Sequence, residues 1–165
     1  MPGGSWTASG SRGGSDVLVF DLREEQEFRR ELHVEKVLGT IAGGDVTVAC
    51  WEPAQVSPYH CHPFATEIYL CFEGGGRMRT PETAVGVRPG SFVVHPPGEL
   101  HEYSNGPQRT LLFRVRYGED LATRTIAWRG NPDWTPSPVD IAYLAQLPAA
   151  LRAAVAPPDH GPPVT

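Results

Sequence analysis

His60 and His62 are separated by a single residue, Glu67 follows five positions later, and His101 stands just after the turn signal Pro96-Pro97-Gly98. On a β-strand side chains alternate between faces, so His60 and His62 point the same way and can grip one ion. Cys61 between them must then point to the opposite face. Glu67, past Pro63 and at the head of the apolar run 68–72, can return to the same cavity from the next strand. The Pro-Pro-Gly turn starts another strand at that level, with His101 on it. Three neutral imidazoles and one carboxylate suit a first-row transition ion, with Fe(II) favoured and Mn, Ni, Cu or Zn able to take the same donors. Four protein donors on an octahedral divalent ion leave about two positions for other ligands and a net charge near +1. Such a centre attracts an enolate, carboxylate, thiolate or phenolate.

Strand parity nominates the other groups of the site. Tyr69 and Cys71 share the phase of Glu67, and Tyr103 shares that of His101, so all three are expected to face the interior. There they either meet a substrate or fill the barrel. Tyr103 is the candidate general acid or hydrogen-bond donor. Arg77 and Arg79 share one face, as do Arg114 and Arg116. Either pair could hold a substrate carboxylate bidentately, and a solvated outer face is the competing fate. His95 reads as an ordinary core or surface polar group, and His33 as a surface histidine without a partner at ligand spacing.

Short strands must carry these groups. Segments 37–41, 45–51, 55–62, 67–72, 77–80, 84–87, 91–95, 100–104 and 110–117 are β-rich and divided by Gly, Pro and polar turns. Gly74-Gly75-Gly76 and Pro89-Gly90 are the clearest hairpin signals. Strands at this spacing predict an all-β antiparallel barrel or jelly roll. Asp21 can cap a short helix through about Leu32, with Leu22 and Phe28 buried. Ser137, Pro138 and Asp140 supply a cap, a first-turn proline and an early acid for a helix from Pro138 to about Gln146. An alanine-rich helix from Pro148 to about Val155 follows it. Trp128 and Trp134 are expected to pin this C-terminal arm to the barrel, with a lid over the pocket as the sharper alternative.

These intervals resemble those of the cupins, small β-barrels with a metal site inside. The first cupin motif, His-x-His, three or four residues, Glu, six residues, Gly, is met by His60, His62, Glu67 and Gly74. The second, Gly, five residues, Pro-x-Gly, two residues, His, three residues, Asn, is met by Gly90, Pro96, Gly98, His101 and Asn105. The usual glycine six residues before the first histidine is replaced by Ala54. The resemblance covers residues 34–117. It implies a single cupin barrel, here with short N- and C-terminal helices, and a metal held by His60, His62, Glu67 and His101. It also implies a metal-dependent enzyme acting on a small organic molecule. A non-haem dioxygenase comes first, a redox-neutral lyase, isomerase, cyclase or dehydratase second, and a non-catalytic ligand-binding cupin third. Pairing through sheet edges is common among cupins, so a homodimer is expected.

Composition narrows the partners. The chain has 165 residues, enough for one domain with a sizeable core, and a formal net charge of −5. That balance argues against nucleic acid or an anionic membrane as partner, and no apolar run approaches the ~20 residues of a membrane span. Three cysteines without zinc-finger spacing read as free thiols in a reducing cytoplasm. Residues 1–16, rich in Gly and Ser, are expected to form a flexible tail, residues 17–155 the barrel with its helices, and residues 156–165 a Pro-rich disordered tail containing His160.

Overall fold

The computed structural model describes residues 17–155, so the two expected tails, His160 included, lie outside the described residues. Strands β1 (Val34–Ile41), β2 (Gly44–Trp51), β4 (Phe64–Glu73), β7 (Phe92–His95) and β9 (Thr110–Asp120) form one antiparallel sheet in the order β1-β2-β9-β4-β7. Facing it are a three-stranded sheet, β6 (Ala84–Val87), β5 (Gly76–Arg79) and β8 (Glu102–Asn105), and the pair β10 (Arg124–Ala127) and β3 (Tyr59–Cys61). Helices α1 (Pro138–Gln146) and α2 (Ala149–Val155) close the described chain. This is the all-β cupin barrel expected of the sequence, with its two C-terminal helices in place.

Alternation along the strands builds the interior. Register pairs Ala49 with Leu112 and Leu112 with Cys71, and these join Trp51, Tyr69, Met78, Val87 and Tyr103 in one buried cluster between the sheets. Fully burying a side chain of this size contributes about 1.5–3 kcal/mol. A second cluster, Tyr59, Cys61, Leu100 and Ile126, lies on the far side of β3 and packs under Tyr143, Leu144 and Leu147.

The turns follow the glycines. Gly74 has a φ of 73°, and a Cβ there would lie 2.2 Å from the Arg109 carbonyl oxygen, so the β4–β5 hairpin admits no side chain at that point. Ala54 has a φ of 63°, which explains why cupins usually place glycine at this position.

The N-terminal helix is absent. Asp21 does cap a turn, accepting from the Arg23 amide at 2.9 Å, but residues 26–29 run on without helical bonds. Leu22 and Phe28 lie instead against Val48, Cys50 and Leu111 on the outside of β2 and β9. An irregular strap buries those two side chains as well as a helix would, and tertiary packing overrides the modest propensity of the stretch. Strand β10 was not anticipated from sequence; it pairs with β3 through Thr125↔His60 and Arg124↔Cys61.

Candidate metal centre and ligand cavity

The four expected donors meet. His60 lies on β3, His62 one residue beyond it, Glu67 on β4 and His101 at the entry to β8, and their ligand atoms all lie within 4.8 Å of one another. Two donors bonded to one ion at ~2.1 Å are at most about 4.2 Å apart, so the set needs only a small contraction to close on a cation. The backbones of His60 and His101 hold each other in a two-way bridge, with N···O distances of 3.0 and 2.8 Å.

The second nitrogen of each ring sets its orientation. His60 Nδ1 is 2.9 Å from the Pro58 carbonyl oxygen, His101 Nδ1 is 2.9 Å from that of Glu99, and His62 Nδ1 is 3.3 Å from the Thr123 hydroxyl. A carbonyl only accepts, so Nδ1 of His60 and His101 carries the proton and Nε2 presents its lone pair. Yet His101 Nε2 lies 2.8 Å from Glu67 Oε2, a lone pair against a carboxylate oxygen. A cation between them, a proton or a metal ion, resolves that contact. His62 Nε2 and Glu67 Oε1 are 3.3 Å apart, out of line for a hydrogen bond, and both are buried without a partner. Buried donor atoms left open in this way fit a transition ion.

Electrostatics agree. Burial alone would raise the Glu67 carboxyl, but the close ring nitrogens of His101 and His62 outweigh it and hold the group well below the usual carboxylate range. Burial, reinforced by the neighbouring His101, pushes His60 down to about 3, so this ring is a neutral ligand at any physiological pH. His95 lies outside the donor set. It stacks on His101 at 3.9 Å, donates from Nδ1 to Glu99 Oε2 at 2.6 Å, and is pushed down to about 4, first by burial.

Beside the donors lies a cavity of ≈ 220 Å³. Tyr69 and Tyr103 line it, as parity suggested, and so do Arg114 and Arg116, for which parity left the inner and outer faces open. The register explains why: Thr47, Arg114 and Tyr69 form one inward row, and Asp45, Arg116, Glu67 and His95 the next. Arg114 Nη1 donates to Glu35 Oε2 at 2.7 Å and Nη2 to Thr47 Oγ1 at 3.1 Å, while its Nε stands 3.6 Å from Glu67 Oε1. Burial opposes the ionised Glu35, but His33 and Arg114 prevail and lower it to about 2. The Tyr103 hydroxyl donates to Asn105 Oδ1 at 3.1 Å.

Three of the expected pocket residues are placed elsewhere. Cys71 is buried among Trp51, Met78 and Tyr103 but does not line the cavity. Arg77 and Arg79 alternate with the inward Met78 and therefore face out. There Arg79 stacks over Tyr59 and approaches Glu102. His33 is the opposite case. It is no surface histidine but lies at the cavity wall, stacked on Trp51 at 3.9 Å and edge-on to Trp128 at 6.3 Å. Trp128 also lines the cavity, its indole nitrogen donating to the Val56 carbonyl at 2.9 Å. Sequence reading passed over Glu35, Trp51 and Thr123. The alternation His33-Val34-Glu35 was a usable signal, whereas the contact of Thr123 with His62 spans 61 positions and leaves no local trace.

A closed pair of sheets with three imidazoles and a carboxylate beside an internal cavity defines a cupin of the small-ligand-binding kind. The chain matches the AraC-like ligand binding domain over residues 44–161, most of its length, and belongs to that family. No curated protein matches it. Among solved structures it is similar to a double-stranded β-helix protein from Klebsiella pneumoniae, at 17% identity and a TM-score of 0.62, covering 67% of this chain and 97% of that one. A cupin superfamily protein from Desulfitobacterium hafniense shares 13% identity at a TM-score of 0.54, over 59% and 88% of the two chains. A DMSP lyase from Ruegeria pomeroyi shares 20% identity at a TM-score of 0.54, over 61% and 54%. At these identities the likeness is one of fold.

Proposed function

We propose that this protein is a metal-dependent enzyme acting on a small organic molecule, with one divalent transition ion per chain held by His60, His62, Glu67 and His101. The observation that carries this reading is the set of open, buried donor atoms of His62 and Glu67 beside a cavity of ligand size. An ion bound there supplies Lewis acidity toward a carbonyl or enolate and, if redox-active as Fe(II) is, a route for electrons to dioxygen.

The chain's own residues do the rest. Trp51, Tyr103 and Trp128 give the cavity aromatic walls. Arg114 steadies the Glu67 carboxylate and carries positive charge to the cavity wall. The Tyr69 phenol is pushed well above its ordinary value, by burial and then by the adjacent Glu67 charge, so it keeps its proton and serves as a donor to a substrate oxygen. Tyr69 takes this part ahead of Tyr103, whose hydroxyl is committed to Asn105.

The oxygenase reading stands first, on the donor set. The redox-neutral reading, a lyase, isomerase, cyclase or dehydratase, is favoured by the protonated Tyr69 next to the donors. Oxygen consumption and product formation by iron-loaded protein, in air and under argon, separate the two. Oxygen-dependent turnover supports the first, unchanged turnover under argon supports the second, and tight ligand binding without any turnover overturns both in favour of a binding module.

The expected homodimer has a candidate surface. Phe92 and Val94, 64% and 49% exposed, lie beside Leu70 and Ile68 on the outer face of β4 and β7, next to Phe113 and Val115 of β9. None of these six side chains is charged. The neighbouring part of the same outer face, at Val48 and Leu111, is covered by the chain's own strap. A two-fold contact joins the same patch on both copies, and an uncharged apolar face brings no like charges together there, so a second copy is the proposed occupant. Light scattering of Phe92→Glu should show monomers where the parent shows dimers; a monomeric parent removes the proposal.

A further inference from the structure

One turn reaches three of the four metal donors. Residues 96–99 carry the chain from the end of β7 to His101, with Gly98 at a φ of 81° and the Glu99 amide bonded back to the Pro96 carbonyl at 3.1 Å. The Gly98 amide donates to the His62 carbonyl at 2.9 Å. The Glu99 carbonyl accepts the Nδ1 proton of His101 at 2.9 Å. His95, where the turn begins, is the register partner of Glu67 across β4 and β7.

These links to the donors run through the backbone of the turn and strand, and one side chain ties the turn shut. Glu99 Oε2 accepts from His95 Nδ1 at 2.6 Å, a charge-assisted bond of the stronger kind. The His95 ring then lies flat on that of His101, 3.9 Å away with 7° between the planes. Glu99 therefore holds His101 twice. Its carbonyl fixes the tautomer, and through His95 its carboxylate sets a ring against the face, where it blocks a swing out of plane.

Neither residue belongs to the donor set. The side chains of His95 and His101 are 3% and 2% exposed, whereas that of Glu99 is 34% exposed, so the carboxylate closes the turn from the solvent side. Donors already held in place lose little freedom when an ion arrives, and loosening the turn shows as weaker binding.

Building on the metal-dependent reading, we propose that Glu99 and His95 act as one positioning pair: the carboxylate clamps the β7–β8 turn, and the stacked ring keeps His101 in its ligating orientation. Metal affinity then depends on two residues that give the ion no atom.

The test compares parent and variants by zinc affinity in competition with a chelator, by the visible spectrum of cobalt(II)-loaded protein, and by the urea midpoint of metal-free protein. Glu99→Ala removes the carboxylate and leaves the backbone carbonyl. It should weaken zinc about tenfold and shift the cobalt bands. Glu99→Gln keeps an acceptor for His95 and should restore part of the affinity. His95→Phe keeps a flat ring, loses the N–H and should also cost about tenfold; combined with Glu99→Ala the loss should stay about tenfold rather than reach about a hundredfold, because the pair acts as a unit. Should His95→Phe fail to fold, the two Glu99 variants decide alone. Zinc affinity and cobalt bands in Glu99→Ala equal to the parent's overturn the proposal, since a residue that serves only the fold moves the urea midpoint alone. About a hundredfold loss in the double variant overturns the pairing. Parent protein that takes up neither zinc nor cobalt overturns the metal-dependent reading and the pair with it, whereas uptake that the variants leave unaltered overturns the pair only.

Discussion

Arg114→Met probes the charge arrangement under the cavity most directly. Arg114 is 3% exposed and reaches Glu35 at 2.7 Å, Thr47 at 3.1 Å and Asp45 at 3.4 Å, with Glu67 at 3.6 Å. Methionine preserves much of the volume but leaves these carboxylates without their shared cation. Removing one partner of a buried ion pair costs about 3–5 kcal/mol. The Glu35 side chain is 37% exposed, so water screens part of the loss and the lower end, about 3 kcal/mol, is expected at pH 7. With a urea slope of about 2 kcal/mol per molar, the unfolding midpoint of metal-free protein should fall by about 1.5 M.

The pH dependence gives a second check. Glu35 is depressed from 4.5 to about 2 in the folded protein, so the stability it contributes is complete above 4.5 and is lost as pH falls toward 2. The gap between parent and variant should therefore narrow over that interval as the carboxylates protonate. Arg77→Met, on the outer face, should change stability by less than about 0.5 kcal/mol. A loss under about 1 kcal/mol for Arg114→Met, or a gap that stays constant into acid, would refute the view that this guanidinium holds the carboxylates together.

Further outcomes follow from the same geometry. His60→Ala and His101→Ala should each lose most bound metal, by mass spectrometry, while circular dichroism shows the barrel intact; full metal retention would end the assignment of the donors. Cys61→Ser should leave metal content and turnover unchanged, because the thiol faces Tyr143 at 3.4 Å rather than the cavity, and a large loss in rate would contradict the strand phase. Ala54→Gly should raise the melting free energy by about 0.5–1 kcal/mol, since the left-handed conformation costs alanine about 1–2 kcal/mol and the added freedom of glycine in the unfolded chain returns part of it. An unchanged or lower melting temperature would mean that the turn carries no strain.

Much of the fold and the donor set was legible because it rests on short-range rules. Alternation placed His60 and His62 together and turned Cys61 away, and the capping box at Ser137 and Asp140 marked the start of α1 to the residue. The same parity put Arg114 and Arg116 on one face but could not say which face looks inward. That choice depends on Thr47 and Asp45 across β2, partners about 70 positions away. The strap at 21–32 misled because two apolar side chains and a capping aspartate suit a helix and an irregular cover equally well. His33 was misjudged for a related reason: its partners are rings, Trp51 and Trp128, and stacking leaves no spacing to read.

Strand β3 is only three residues long, and its two faces answer to different neighbours. Inward it offers His60; outward Cys61 and Tyr59 lie against Ile126 and under Tyr143 and Leu147. So short a segment cannot fix its own register, and the bond from the Thr125 amide to Asp140 ties β10, its partner, to the first turn of α1. Strand β10 and helix α1 thus act as a splint for a donor cluster to which they contribute no donor. Clipping the chain before that helix, or seating another protein on it, should be felt as slackness among the four donors.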